Sequence, residues 1–356
     1  MVEVLGFDIG GANTKAAIIS VRTGKLECFK VAVKYFPVWK HPQELTALLL
    51  KLKNQLVTME IDVLGVTMTA ELSDVYATKR EGVQHILCCV KQAFPKERIY
   101  VLNTDARMVE YLTAKESPLS VAAANWAATG WLVSQYIKDC VVIDVGSTSA
   151  SIIPIVNGKV AAKGKTDLDK LMCGELVYTG SLRTNVATIA RSIPIKGDIA
   201  GVSSELFAQS GDAHLVLGNI TERQYTSETA DGRGKTLDEA LARLARVVCA
   251  DTEMLTKQEI VDMAQYISDQ QVLQVAEGLT KVYNYTKQLA NNKVPVVLTG
   301  LGKEFIAKRA AQELGLTEIV DLANLIPSAA TVATPAFGVA LMAANKLEGE
   351  NIRWMP

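Results

Sequence analysis

An apolar run that ends in an aspartate, two glycines and small polar residues opens the chain, Val4-Leu5-Gly6-Phe7-Asp8-Ile9-Gly10-Gly11-Ala12-Asn13-Thr14-Lys15. The same order of features returns far downstream as Val141-Val142-Ile143-Asp144-Val145-Gly146-Ser147-Thr148-Ser149. Each copy reads as a buried strand that carries a carboxylate to its end and then turns on glycine, where backbone N–H groups can approach an anion that a side chain would hold away. Gly10-Gly11 alone would be an ordinary tight turn. Its echo at Gly146 makes two related halves facing one ligand the organising expectation.

The residues around the two turns continue the repeat. In the first half, Ala16 to Val21 and Leu26 to Tyr35 read as strands. Leu45, Leu48, Leu49, Leu52 and Leu56 recur at helical spacing after Pro42, and Ile61 to Thr69 reads as a buried strand. A helix marked by Val83, Ile86, Leu87, Val90 and Phe94 and a strand over Ile99 to Leu102 follow, and the alanine-rich run from Asp105 to about Ile137 predicts one or two packed helices. The second half repeats this order with strands at Cys140 to Val145, Ser149 to Val156 and Lys159 to Lys163, the last two joined by an Asn157-Gly158 hairpin turn. A segment from about 166 to 235, rich in Gly, Ser and Thr, has no counterpart in the first half and reads as an inserted subdomain. Helices at Leu237 to Val248, Ile260 to Leu289, Lys303 to Leu314 and after Pro335, with strands at Val294 to Leu298 and Glu318 to Leu322, complete the second copy. The halves are expected at 1–138 and 139–356.

Composition narrows the ligand. With 356 residues, 49% of them apolar, the chain can fill two cores, and a formal net charge of −1 gives no basic footprint for nucleic acid or an acidic membrane. Small-molecule substrates are therefore expected. Cys28, Cys88, Cys89, Cys140, Cys173 and Cys249 lack metal-ligand spacing, and His41, His85 and His214 are too scattered for a cluster, so none receives a catalytic role. Met1 runs directly into a strand, and no apolar run reaches the ~20 residues of a bilayer span. A cytoplasmic location is expected; a homo-oligomer is compatible with the sequence.

Asp8 and Asp144 suit Mg²⁺ held partly through water, although either carboxylate alone could merely cap its turn. Thr14, Lys15, Asn13, Ser147, Thr148 and Ser149 are candidate phosphate donors with Gly10, Gly11 and Gly146, while Lys15 could equally be a solvated strand residue. Neither glycine stretch fits a P-loop or a dinucleotide fingerprint. Glu71 and Asp74 end the fourth strand and are candidates for a base or for amine recognition, with a solvated loop as the alternative. Asn125, an amide in an apolar helix, needs a partner, either a ligand or a core hydrogen bond. Arg183 could face phosphate or carboxylate, or anchor the insert.

Asp8-Ile9-Gly10-Gly11, Asp144-Val145-Gly146-Ser147-Thr148 and Thr299-Gly300-Leu301-Gly302 resemble the first phosphate, second phosphate and adenosine motifs of the actin, hexokinase and Hsp70 superfamily. That resemblance implies an α/β chain with a duplicated actin-like ATPase (ribonuclease H-like) fold, two halves around a phosphate-binding cleft, and Thr299, Gly300 and Gly302 against a ring, with a plain strand-to-helix connection as the alternative for that turn. Within it, Asp8 to Lys15 and Gly211-Asp212-Ala213-His214-Leu215-Val216-Leu217-Gly218 are similar to hydantoinase and oxoprolinase subunits. Thr67-Met68-Thr69-Ala70-Glu71-Leu72-Ser73-Asp74, Ala124-Asn125-Trp126-Ala127-Ala128-Thr129 and Thr229-Ala230-Asp231-Gly232-Arg233 resemble the tetrahydromethanopterin-linked C1 transfer group, the methanofuran-biosynthesis synthase family.

This resemblance implies a transferase that joins an aminomethylfuran-methyl diphosphate to the phenol oxygen of γ-glutamyltyramine, with diphosphate leaving. Asp105, in Asn103-Thr104-Asp105-Ala106, stands where sugar kinases of the superfamily carry a catalytic aspartate, and the local alternative is a helix N-cap. An ATP-dependent small-molecule kinase and a nucleotide-gated scaffold or activator are the competing readings, and ATP is a cofactor only under the kinase reading.

Overall fold

The computed structural model describes residues 1–56 and 60–349. Its contacts divide the chain into two units. One comprises Met1–Asp139, Ile155–Asp169 and the chain from Leu322 onward; the other comprises Cys140–Pro154 and Lys170–Asp321. This division and the sequence repeat cut the chain differently, because the last helix of the second copy packs on the sheet of the first unit.

The first sheet holds β1 (Val2–Ile9), β2 (Asn13–Arg22), β3 (Lys25–Tyr35), β4 (Val63–Met68), β5 (Arg98–Leu102) and β6 (Met108–Glu110), in the order β3-β2-β1-β4-β5-β6. β1 to β3 form an antiparallel meander, β4 and β5 continue parallel to β1, and β6 returns antiparallel to β5. One face buries Leu5, Phe7, Ile9, Leu64 and Val66 against the helices Leu45–Leu56 and Lys79–Ala93. The helix Thr334–Glu348 packs against β1 and β4. It comes so close that a Cβ on Gly6 would lie 2.1 Å from the Ala336 carbonyl oxygen, and one on Gly65 2.3 Å from that of Val339.

The second sheet holds β7 (Cys140–Val145), β8 (Ala150–Val156), β9 (Lys159–Val160) and β10 (Leu176–Val177), continued by β13 (Val296–Thr299) and β14 (Ile319–Asp321). Its order is β10-β8-β7-β13-β14, with β9 also on β8. β11 (Ser192–Ile195) and β12 (Asp198–Gly201) form a separate hairpin in the insert. The 33-residue helix Lys257–Leu289 packs Val272, Val275 and Leu279 on the sheet and Ile260, Met263 and Ile267 on the insert's own core.

Three expectations change. The third strand of the second copy is divided: β9 pairs only Ile155 and Val156, and β10, from beyond the next helix, pairs Ala150 and Ser151. The chain leaves the sheet after Val160 and is drawn off by Lys165, bonded to Asp105, and Asp167, bonded to Lys79. The run 105–137 holds two helices, as expected, but also a strand and a 3-10 turn that were not. β6 is followed by the helix Tyr111–Glu116, a 3-10 turn at Pro118–Ser120 and the helix Asn125–Ser134, the breaks falling at Pro118, which has no N–H, and at Ala123, whose φ is 50°. The segment expected as helix from Lys303 opens with a π turn over Lys303–Ala307 before the helix Lys308–Glu313. No helix among the described residues is long and apolar enough to cross a membrane.

Candidate active site

In the first unit, β1 carries Asp8, 3% exposed, to the start of the glycine turn. The turn closes through the Gly10 N–H donating to the Asn13 carbonyl at 3.0 Å. The carbonyls of Gly11 and Ala12 accept from Val38 and Phe36, each at 2.9 Å, so the loop is tied to the chain leaving β3. Asp8 lies opposite Lys15 on β2 and beside Thr67 on β4, and the Lys15 Nζ stands 3.8 Å from its Oδ2. Strand alternation puts Asn13 and Lys15 on this face and turns Thr14 to the other, with Ile9, Ala16 and Ile18 of the core. Thr14 is fully buried there, so its hydroxyl faces core rather than the glycine turn.

Behind this turn runs the segment Thr69 to Ser73. The Thr69 N–H donates to the Ile9 carbonyl at 2.9 Å, and Ser73 Oγ would lie 3.3 Å from a Cβ on Gly11. Within the segment Glu71 is 1% exposed, and neither carboxylate oxygen has a hydrogen bond of good geometry. Burial pushes its carboxyl up to about 7; the N–H groups of Glu71 and Ala123 and the charge of Lys79 hold the rise down, and Asp167 adds to it. Asp74, on the same loop, is exposed.

Asp105 departs from the N-cap expectation. The Asn103 Oδ1 accepts from the N–H groups of Asp105 and Arg107, which makes a side-chain-closed turn leading into β6 rather than into a helix. Its exposed carboxylate accepts from Lys165 Nζ at 2.6 Å, and that bond and charge hold the carboxyl below the usual range. Asn125 is the half-buried first residue of its helix.

In the second unit, β7 delivers Asp144 to a turn that closes identically, with the Gly146 N–H donating to the Ser149 carbonyl at 3.0 Å. Here the backing comes from the insert. The N–H of Ser181 donates to the Gly146 carbonyl at 2.9 Å, those of Leu182 and Arg183 donate to the Ser147 carbonyl at 3.0 Å, and Arg183 Nη1 donates to Thr148 Oγ1 at 3.2 Å. Gly180 lies so near that a Cβ would stand 2.4 Å from the Thr148 carbonyl carbon. The Thr299–Gly302 turn meets the same strand end. Gly300, at φ +87°, would place a Cβ 2.3 Å from the Val145 carbonyl oxygen and 2.7 Å from Asp144 Oδ1, and the Gly302 N–H donates to that carbonyl at 3.0 Å. These glycines are required by the contact between the two turns.

Thus Asp144, Gly146, Ser147, Thr148, Ser149, Arg183, Thr299, Gly300 and Gly302 converge in one unit. Asp8, Gly10, Gly11, Asn13 and Lys15 converge in the other, with the loop of Glu71 behind them. Sequence reasoning missed Lys165, Thr67 and Gly180. Two of them carried a signal: Gly180 is a glycine three residues before Arg183, and Thr67 opens the Thr67 to Asp74 motif.

The hydantoinase/oxoprolinase family model matches residues 62–346. A (4-{4-[2-(gamma-L-glutamylamino)ethyl]phenoxymethyl}furan-2-yl)methanamine synthase from Methanocaldococcus jannaschii is 39% identical over 351 residues, 98% of this chain and 99% of the relative. The synthase of the same name from Methanococcus vannielii is 38% identical over 222 residues, 61% of this chain and 97% of the relative. A nucleotide-free structure of acetone carboxylase superposes with a TM-score of 0.57 at 11% identity, over 96% of this chain and 70% of that one. The fold, two sheets each built as a meander continued by parallel strands, is the duplicated actin-like one. With a family match over most of its length and a relative aligned end to end, the chain belongs to the hydantoinase/oxoprolinase family.

Proposed function

We propose that the chain is the methanofuran-biosynthesis synthase that transfers an aminomethylfuran-methyl group from its diphosphate to the phenol oxygen of γ-glutamyltyramine. The observation that carries this reading is the 39% identity, end to end, with the Methanocaldococcus jannaschii synthase. The name of that relative describes a phenoxymethylfuran, an aryl ether between a furylmethyl carbon and the phenol of a γ-glutamylated amine. Forming the ether requires a phenol oxygen that loses its proton, attacks the methylene carbon and displaces a group that departs with the bonding electron pair. Diphosphate is such a group, and a glycine turn beside an aspartate is a backbone geometry that suits its oxygens. The free state of all six cysteines supports a cytoplasmic location.

Among the described residues no three His, Cys, Asp or Glu side chains gather into a metal cage. One carboxylate at each glycine turn is instead the donor set that suits Mg²⁺, which keeps several waters and takes one or two carboxylates together with phosphate oxygens. Asp8 at the first turn and Asp144 at the second would each offer a carboxylate to Mg²⁺, which would supply charge to the leaving diphosphate. Arg183, bonded to Thr148, adds a second positive group to the second turn.

For the proton we assign Glu71. A phenol of pKa about 10 needs a base poised near neutrality. Glu71, pushed up to about 7, is so poised, while Asp105 is kept acidic by Lys165. Synthetic aminomethylfuran-methyl diphosphate and γ-glutamyltyramine, incubated with the protein and Mg²⁺ without ATP, should give the ether by mass spectrometry and one diphosphate per product. A requirement for ATP with release of ADP would favour the kinase reading. In the same assay kcat/KM should rise with pH to about 7. Glu71→Gln should remove that limb and Asp105→Asn should leave it; the reverse pattern moves the base to Asp105.

A further inference from the structure

His214, set aside by the sequence for lack of neighbours, is fully buried in the insert helix Ser210–Val216. Its Nε2 lies 2.8 Å from Gln271 Oε1, its Nδ1 3.1 Å from Asn219 Nδ2, and its ring packs on Phe305 at 4.5 Å between centroids. Gln271, also fully buried, is on the long helix Lys257–Leu289, and its Nε2 donates to Thr179 Oγ1 at 2.7 Å and to the Gly180 carbonyl at 2.8 Å. The direction of every bond in this chain follows from its end. A carbonyl oxygen only accepts, so the amide nitrogen of Gln271 must face Gly180 and its oxygen must face His214. The imidazole must then carry its proton on Nε2, and Nδ1 accepts from Asn219. Burial, which lowers the imidazole to about 4, keeps it in that neutral form.

Gly180 is the residue on which the second turn rests. Its carbonyl also accepts from Ser210 Oγ at 2.7 Å, its backbone abuts Thr148, and the next three N–H groups hold the carbonyls of Gly146 and Ser147. We propose that His214 is a positioning residue for the second glycine turn: as the Nε2-protonated imidazole it locks the Gln271 amide, which holds Thr179 and Gly180 beneath Gly146 to Ser149. The proposal rests on the reading of that turn as a diphosphate site. A misplaced backing segment moves the turn's N–H groups off the anion, so the effect falls on anion binding and turnover together.

The test uses the whole chain and inorganic diphosphate with Mg²⁺ as the probe, by calorimetry, beside kcat/KM with the substrates above. His214→Leu, which keeps the apolar volume and loses both nitrogens, should weaken diphosphate binding and kcat/KM by about tenfold each. His214→Gln, whose amide N–H can reach Gln271 Oε1, should bring both within about threefold of the wild type. Thr179→Val, which removes one acceptor of the Gln271 amide without adding bulk, should shift both in the same direction and serves if His214→Leu does not fold. A variant that melts earlier yet binds diphosphate with wild-type affinity overturns the positioning role. Wild-type protein that does not bind diphosphate overturns the reading of the turn, and the proposal with it.

Discussion

The Asp8 turn and the Asp144 turn close with the same hydrogen bond from the second residue after the aspartate, at 3.0 Å in each, yet they are supported in opposite ways. The first is held by its own sheet, through Val38, Phe36 and Thr69, and the segment behind it contains a buried carboxylate without a good hydrogen bond, Glu71. The second is held by an insertion, through the N–H groups of Ser181, Leu182 and Arg183, and behind it stands a hydrogen-bond chain of uncharged groups, Thr179, Gly180, Gln271 and His214. A duplicated loop therefore conserves its geometry while its support diverges. The backing with a buried carboxylate is where proton chemistry belongs, and the backing of neutral groups is where rigidity belongs.

If the carboxylate of each turn serves the diphosphate chemistry, Asp8→Asn and Asp144→Asn should each lower kcat/KM on the order of 10²-fold or more with little change in melting temperature. Circular dichroism and steady-state rates at saturating Mg²⁺ measure both. Near-normal turnover in only one folded variant would make the turns unequal and remove that aspartate from the site.

The backings differ next in pH response. The Glu71 carboxyl is raised from 4.5 to about 7 in the folded chain, so its share of stability is full below 4.5 and lost as pH climbs through about 7. The His214 imidazole is lowered from 6.5 to about 4, so its share is full above 6.5 and lost as pH falls toward about 4. Shifts of this size correspond to about 3 kcal/mol each at most. Amide hydrogen exchange, corrected for intrinsic rates, should show the Thr69–Ser73 segment losing protection between pH 5 and pH 8 and the Thr179–Thr184 segment gaining it. Glu71→Gln should flatten the first trend alone; parallel trends in both segments would erase the contrast.

The smallest effect separates the glycines. A Cβ on Gly10 would stand 2.7 Å from the Asn13 carbonyl oxygen, whereas on Gly146 its nearest neighbour is the Ser149 oxygen at 3.7 Å. Gly10→Ala should therefore destabilise by about 1–3 kcal/mol. Gly146→Ala should stay within about 0.5 kcal/mol of wild type and show its effect only as weaker diphosphate binding. Equal thermal shifts would mean that both turns need glycine for packing.

The sequence exposed what is local or repeated. The aspartate two residues before each glycine, the leucine face from Leu45 to Leu56 and the Asn157-Gly158 turn, with φ of 52° and 71°, each carry their own signature. The orientation of Thr14 was also readable, since Asn13 and Lys15 alternate with Thr14, Ala16 and Ile18 once β2 is extended back to Asn13. β6 was not, because three residues are too few to show a period and the turn before it is closed by the Asn103 side chain. Glu71 was found as a residue but not as a base near neutrality, because its shift comes from burial. His214 meets Gln271 across 57 positions, and no local pattern encodes a bond of that separation.

Gly6 and Gly65 have a consequence for how the molecule comes into being. They leave a trough in β1 and β4 that the helix Thr334–Glu348 fills, so β1 waits for a partner made after the whole of the second unit. Until that helix arrives, one face of a six-stranded sheet stays wet and open to strangers, and the closing step brings together Val2–Ile9 and Thr334–Glu348, which are far apart in sequence. Biogenesis of the first unit is thus gated by synthesis of the second. Chaperone dependence and slow refolding should concentrate at this single docking event.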